Sequence, residues 1–214
     1  MTAAAPRTQP RMSAENRKRQ IVVVAAELFS GKGFSGTTTK EIADRAGVSE
    51  AIIFRHFPSK EALYSAILDY KTRESSQQIR AHLKEAASRK DDVAFFGSLA
   101  YSALELHRKD GTLMRLLLYS ALEGHELSDI FFGSTAREIR TYVRRYIKQR
   151  INDGAFREMD PSVAARAFVG AVIHHAQTRA LYKFDDLKMS SRQIADRFVD
   201  IFLSGALKKP TARS

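Results

Sequence analysis

Residues 39–58 of the chain read TKEIADRAGVSEAIIFRHFP, and they predict two short helices joined by a tight turn. Helices that cross steeply need a small residue where they touch, a glycine where the turn takes a positive φ, and apolar side chains that face inward. The fifth, ninth, tenth and fifteenth positions of this stretch meet those needs: Ala43, Gly47, Val48 and Ile53. Because several constraints hold at once, the spacing predicts a helix-turn-helix unit.

An amphipathic helix precedes this pair. Apolar residues recur at helical spacing between Ser13 and about Lys32, namely Ile21, Ala25, Leu28 and Phe29. Thr38 lies three residues before Glu41, which is the arrangement of a capping box. Residues 13–58 are therefore predicted to form a complete three-helix, DNA-binding unit.

Residues 1–12 are predicted to be a disordered tail, because they are small, polar and basic and chain ends are usually frayed. The alternative is a basic arm in which Arg7 and Arg11 reach a DNA groove. The tail lacks the apolar core of a secretory signal, and no run of about eighteen apolar residues occurs in the chain. These features predict a cytoplasmic protein with no membrane partner.

Composition narrows the function classes. The 214 residues are 44% hydrophobic and 28% charged, which is typical of a folded protein. Cysteine is absent, which excludes disulfides, thiolate metal sites and cysteine nucleophiles. The net charge of +11 indicates a polyanionic partner or a membrane surface. Residues 1–60 hold ten Lys and Arg against five Asp and Glu, so this part carries nearly half of the excess.

The rest of the chain also has helical periodicity, broken by glycine, aspartate and proline. The predicted segments are 59–88, 92–108, 111–124, 127–152, 160–183 and 190–207. The predicted fold class is therefore all-α: an N-terminal three-helix helix-turn-helix domain followed by a larger helical domain over residues 59–208.

These motifs resemble the DNA-binding domain of the TetR/AcrR family of transcriptional regulators. The resemblance covers about residues 17–64 and rests on six segments: QI (20–21), AAELF (25–29), GF (33–34), TTTKEIA (37–43), AGVS (46–49) and IFRHFPSKEAL (53–63). It implies an all-helical homodimer whose N-terminal domains bind a palindromic DNA operator. It also implies that the C-terminal domains dimerise and bind a small-molecule effector.

The resemblance also implies the residues that contact DNA. They lie at the start of the second helix, along the third, and at the start of the fourth: Thr39, Lys40, Ser49, Glu50, Ala51, Phe54, Arg55, His56 and Lys60. The family usually has tyrosine where this chain has Phe54, and phenylalanine cannot donate to phosphate. Phe54 is therefore expected to pack against a sugar or a thymine methyl group, or to fill space.

Side-chain chemistry agrees with this assignment. Lys40, Arg55 and Lys60 can neutralise phosphate, and Arg55 is also suited to bidentate readout of guanine. Glu50 can accept a hydrogen bond from cytosine, but the alternative is that it only stabilises the helix N-terminus. His56 is expected to contact DNA, with a helix-end bond to a carbonyl as the alternative.

The effector pocket implied by the resemblance would lie among the middle helices. Its candidate lining is aromatic, apolar and histidine-bearing: Phe95, Tyr101, Leu104, His107, Tyr119, Leu122, Phe131 and His174. The same residues can equally form core. No cofactor is expected, and no metal, because adjacent His174 and His175 point about 100° apart on a helix.

Two late helices are expected to form the dimer interface. Small and large apolar residues share one side of each: Ala164, Ala167, Phe168, Ala171, Ile194, Phe198, Ile201 and Phe202. By pattern alone these residues can equally be core. The cations of segment 134–152 are expected to mark a solvated face, with a second nucleic-acid surface as the alternative.

The predicted function is that of a sequence-specific transcriptional regulator, a repressor released from its operator by an effector. One alternative is a DNA-binding regulator or architectural protein without an effector. A helical enzyme using His107, His125 or His174 is not favoured, because no nucleophile–base spacing or phosphate-binding loop is present.

Overall fold

The computed structural model describes residues 12–207 except 125–126 and 134. These residues contain ten helices and no β-strand, which confirms the all-α prediction. The helices are α1 (Ala14–Lys32), α2 (Thr39–Ala46), α3 (Glu50–His56), α4 (Lys60–Ser88), α5 (Asp92–Lys109), α6 (Thr112–Leu122), α7 (Leu127–Gly133), α8 (Thr135–Asn152), α9 (Pro161–Tyr182) and α10 (Ser191–Ala206).

The segment predicted as one helix over 127–152 is two helices, α7 and α8. The first ends at Gly133, a poor helix former. The predicted tail and its alternative arm lie almost wholly outside the described residues.

The chain forms two compact units that divide between Ile67 and Leu68, within α4. In the first unit, α1, α2, α3 and the start of α4 surround a small apolar core. The ring centroid of Phe29 lies 4.8 Å from that of Tyr64, and Phe34 completes the cluster at 5.2 Å from Tyr64. Ser13 caps α1 by accepting a hydrogen bond from the Asn16 N–H at 3.2 Å.

The second unit is built around α5, which packs against α9 and α10. Phe96 is fully buried at the centre of a ring cluster, with centroid distances of 4.8 Å to both Phe168 and Phe202. The preceding residue of α5, Phe95, stacks on Tyr146 of α8 at a centroid distance of 3.8 Å. These rings hold four helices around one core.

A half-buried ion pair ties α8 to the start of α5. The Arg150 guanidinium donates two hydrogen bonds to the Asp92 carboxylate at 2.8 and 3.0 Å, and the Tyr146 hydroxyl donates a third at 2.6 Å. Burial and the Asp92 carboxylate raise the pKa of Tyr146, so its hydroxyl stays a donor. Arg150 is thus a structural residue, although the sequence grouped it with the solvated cations of this helix.

Candidate nucleic-acid interface

The turn between α2 and α3 has the conformation that the sequence predicts. Gly47 adopts φ 65° and ψ 39°, the left-handed region. The Val48 N–H donates to the Ala43 carbonyl at 3.0 Å, which closes the turn. Ala43 and Ile53 are 2% and 1% exposed, so the inward positions of both helices are filled.

Replacing Gly47 by alanine should test how far this turn depends on glycine. A Cβ placed there meets no atom within 4 Å, so the expected cost is backbone strain alone. A non-glycine residue in the left-handed region costs about 1–2 kcal/mol. We expect that loss of unfolding free energy in urea denaturation of the full chain. Gly47→Asn, whose side chain tolerates this region, should lose less. Equal stability of the alanine variant and the wild type would contradict this account of the turn.

Polar contacts fix the starts of α2 and α3. Thr38 caps α2 by accepting from the Glu41 N–H at 3.1 Å, while the Glu41 carboxylate pairs with Lys32. The Thr39 hydroxyl donates to Glu50 Oε2 at 3.3 Å and so links the two helices. Ser49 stands at the N-cap of α3 but makes no side-chain capping bond, and its side chain is exposed.

The outer face of α3 carries three exposed side chains, Ala51, Phe54 and Arg55, with Phe54 44% exposed. Their i, i+3 and i+4 spacing places them on one side of the helix, opposite buried Ile53. Lys40 is also exposed, near the start of α2. Short α3 therefore presents an aromatic ring and a guanidinium to solvent while its other side anchors it.

Two of the predicted DNA-contact residues are less exposed to solvent. His56 is half-buried, and its Nε2 is shielded from solvent without a hydrogen-bond partner among the described residues. The Lys60 ammonium donates to the Phe34 carbonyl at 2.5 Å and lies 4.1 Å from the Phe34 ring centroid. This contact crosses from the loop after α1 to α4. No helix periodicity could have predicted it.

The described residues hold no group of three or more histidine, aspartate or glutamate side chains placed to bind a metal ion. None of the helices in the described ranges has the length and apolar character needed to cross a membrane.

Two protein families match this chain, and together the matches cover most of its length. Residues 21–67 match the model of bacterial regulatory proteins of the tetR family, and residues 98–205 match the C-terminal domain of AefR-like transcriptional repressors. The chain belongs to the TetR family. It is a DNA-binding transcriptional regulator, as the helix-turn-helix pattern predicted.

Individual relatives of this TetR-family chain are similar over different lengths. The transcriptional activator FasR of Mycolicibacterium smegmatis is 41% identical over 58 residues, which are 27% of this chain and 26% of FasR. The nucleoid occlusion factor SlmA of Vibrio cholerae is 27% identical over 161 residues, covering 73% of this chain and 80% of SlmA. The chain thus spans about a quarter of FasR and most of SlmA.

Solved structures share the fold at lower identity. AibR in complex with isovaleryl coenzyme A and operator DNA has a TM-score of 0.69 at 24% identity, covering 86% of this chain and 97% of that one. The fatty acid degradation regulator FadR from Bacillus halodurans has a TM-score of 0.72 at 18% identity, covering 94% and 98%.

The residues predicted to line an effector pocket do not share one environment in this TetR-family chain. Phe95, Leu104 and His107 are buried in the second unit, at 0%, 3% and 9% exposure. Leu122 is 76% exposed, and His174 is also on the surface. The other three are intermediate or partly exposed: Tyr101, Tyr119 and Phe131.

Among the buried members, His107 has unusual chemistry. Burial lowers the pKa of His107, and the nearby Asp110 carboxylate only partly opposes this. Its Nδ1 is shielded from solvent without a hydrogen-bond partner in the described part of the chain. A buried nitrogen in this state can bond a polar group that enters the core.

The residues predicted to form the dimer interface separate into two sets. Ala167, Ala171 and Ile201 are exposed, with Ile201 at 70%. The others are buried or half-buried and contribute to the core of their own unit: Ala164, Phe168, Ile194, Phe198 and Phe202. Val163, which the sequence pattern did not single out, is 66% exposed at helical spacing from Ala167 and Ala171.

Proposed function

We propose that this protein is a homodimeric repressor that binds a palindromic operator and leaves it when a small-molecule effector binds the second unit. The observation that carries the proposal is the outer face of α3. Its exposed Ala51, Phe54 and Arg55 stand on a helix anchored by Ile53 and the left-handed Gly47. A helix held this way can enter the major groove of a duplex.

The proposed contacts follow from side-chain chemistry. Arg55 donates two hydrogen bonds to a guanine, and Phe54 packs against a thymine methyl group or a sugar. Lys40 and the hydroxyl of Ser49 bind phosphate. The hydrogen bond from the Thr39 hydroxyl to Glu50 Oε2, at 3.3 Å, holds α2 and α3 in register. Both residues also contact DNA, through the side-chain atoms that this hydrogen bond does not use.

His56 and Lys60 are proposed to position the DNA-binding elements. The half-buried His56 ring limits how deeply α3 enters the groove. The Lys60 ammonium, bound to the Phe34 carbonyl at 2.5 Å, fixes the loop beside the start of α4. A phosphate then meets Lys60 through the backbone N–H groups at the start of that helix.

Dimerisation through α9 and α10 supplies the second recognition helix. The exposed residues Val163, Ala167, Ala171 and Ile201 are apolar, and the two alanines let two copies pack closely. Two recognition helices related by a two-fold axis read a palindrome with far greater affinity than one helix.

Replacing Ile201 by glutamate should therefore separate the subunits, because it buries a charge in the proposed interface. We expect a monomer in analytical ultracentrifugation and at least a hundredfold weaker operator binding. The matched control is Val93→Glu, since Val93 is 63% exposed on α5, outside the proposed interface. It should leave both properties unchanged. A dimeric Ile201→Glu variant would rule out this face.

The second unit is the part of the protein proposed to bind the effector. The matched C-terminal family is described as AefR-like transcriptional repressors, which supports repression, although relative FasR is named an activator. AibR is described with both isovaleryl coenzyme A and operator DNA. In this chain, the Nδ1 of buried His107 has no hydrogen-bond partner among the described residues, and it is the proposed polar anchor for an effector. Binding there would favour a conformation whose two α3 helices no longer match successive major grooves.

In this role the protein performs no catalytic step and works in the cytoplasm, with the DNA that it binds. Selection of random duplexes by the purified full-length protein tests the DNA-binding half. The expected product is an inverted repeat with half-sites about one helical turn apart, or a multiple of it. Enrichment of a single unrepeated site would contradict the dimeric proposal.

A further inference from the structure

A cationic groove lies between α8 and α9, outside the DNA-binding unit. Two adjoining depressions of about 380 and 160 Å³ share Arg144 and Ser162, so they form one continuous surface. We call it the arginine groove. Six cationic side chains line it: Arg137, Arg140, Arg144, Arg145, Lys148 and Arg166.

The cations of α8 are concentrated on one side of that helix. Four of them follow i, i+3, i+7 and i+11 spacing, which places them along about 17 Å of one helix face: Arg137, Arg140, Arg144 and Lys148. Like charges at such spacing repel one another. A groove that concentrates them is therefore stabilised by a bound anion.

Among the described residues, no carboxylate neutralises these charges. In the described ranges, none of the six side chains forms an ion pair. Arg150 on the same helix shows the contrast, since it pairs with Asp92 and Asp153. The carboxylate of Asp160, next to the groove, accepts from the backbone N–H groups of Ser162 and Val163 at 2.7 and 2.9 Å.

The lining also indicates what kind of anion fits. Among the described residues, the lining includes the hydroxyl groups of Thr141 and Ser162 but neither an acidic nor an aromatic side chain. Guanidinium groups match phosphate oxygens in a bidentate fork. Without an aromatic ring there is no platform for stacking a base, as single-stranded nucleic acid would require. A concave surface of this size suits a small ligand better than a duplex.

We propose that the arginine groove binds a polyphosphate, a ligand with two or more linked phosphate groups. Several guanidinium groups in a row bind successive phosphates, and the hydroxyl of Ser162 adds a donor where the two depressions meet. Free polyphosphate and the phosphate chain of a nucleotide share this chemistry. The groove shares no residue with the α3 face, and His107 does not line it.

Calorimetric titration of the full-length protein at 0.15 M salt tests the proposal, with sodium tripolyphosphate and ATP as the two probes. The wild type should bind tripolyphosphate, and the Arg144→Gln/Lys148→Gln variant should bind it about tenfold more weakly or worse. The matched control is Lys84→Gln/Lys109→Gln, which removes two charges from exposed positions of α4 and α5 and should bind like the wild type. If ATP and tripolyphosphate bind with equal affinity, the groove recognises the phosphate chain alone. If ATP binds more tightly, the ligand of the groove is a nucleotide.

Thermal melting keeps the test independent of folding defects. Without ligand, the groove variant should melt no lower than the wild type, because it loses like-charge repulsion. With tripolyphosphate, only the wild type and the control should gain stability. If the double variant melts lower, Arg145→Gln takes its place with the same expectation. The proposal would be overturned if the wild type does not bind tripolyphosphate, or if the control loses as much affinity for it as the groove variant does. It would also be overturned if the groove variant loses more affinity for non-operator duplex DNA than for tripolyphosphate.

Discussion

Arg55→Ala is expected to abolish most sequence-specific DNA binding. The Arg55 side chain is exposed on the outer face of α3, where the guanidinium can reach the O6 and N7 of guanine. One such bidentate contact discriminates by about 1–3 kcal/mol, and a dimer makes the contact twice. We therefore expect a loss of about 2–6 kcal/mol, or about 30- to 10⁴-fold in affinity, in anisotropy titrations of the selected operator.

Two further variants separate readout from charge. Arg45→Ala is the control within the same unit, because Arg45 is exposed but pairs with Glu27 at 3.4 Å. It should bind the operator nearly as well as the wild type. Arg55→Lys keeps the charge but loses the planar fork, so it should keep non-specific binding and its salt dependence while losing discrimination. An Arg55→Ala variant with wild-type specificity would remove Arg55 from the readout.

Phe96→Ala is expected to cause the largest loss of stability. The side chain is 0% exposed and contacts the rings of Phe168 and Phe202 at centroid distances of 4.8 Å. Truncating a buried phenylalanine costs about 3–5 kcal/mol, from lost burial and from the cavity left behind. We expect that loss in denaturant unfolding of the second unit.

The matched control for this prediction is Phe184→Ala, since Phe184 is 55% exposed after α9. That variant should differ from the wild type by less than about 1 kcal/mol. A Phe96→Ala protein that loses no more than the control would show that the ring cluster around α5 does not hold the second unit together.

The DNA-binding unit was predictable because its constraints are local. The Gly47 turn and the Thr38 cap each act over a few residues, and their spacing is visible in the sequence. What the sequence could not show is contact between distant segments. Lys60 meets the Phe34 carbonyl, and Thr39 bonds Glu50, only because the helices fold back on one another.

The second unit was predictable only in outline. Helical periodicity gave most of the segments, but it cannot say which apolar side of a helix faces the core and which faces a partner. Phe168 and Ala171 lie on the same predicted stripe, yet Phe168 is 3% exposed and Ala171 is on the surface. Arg150 likewise shares a helix with solvated arginines but is held by Asp92. Such differences depend on tertiary packing.

Methylation protection of operator DNA by dimethyl sulfate tests the central claim most directly, since this reagent modifies guanine N7 in the major groove and adenine N3 in the minor groove. With the wild type, one guanine N7 in each half-site should be protected, and Arg55→Ala should leave that guanine reactive at protein concentrations that still saturate the DNA. Protection confined to adenine N3, or protection of the same guanine by Arg55→Ala, would contradict entry of α3 into the major groove through Arg55.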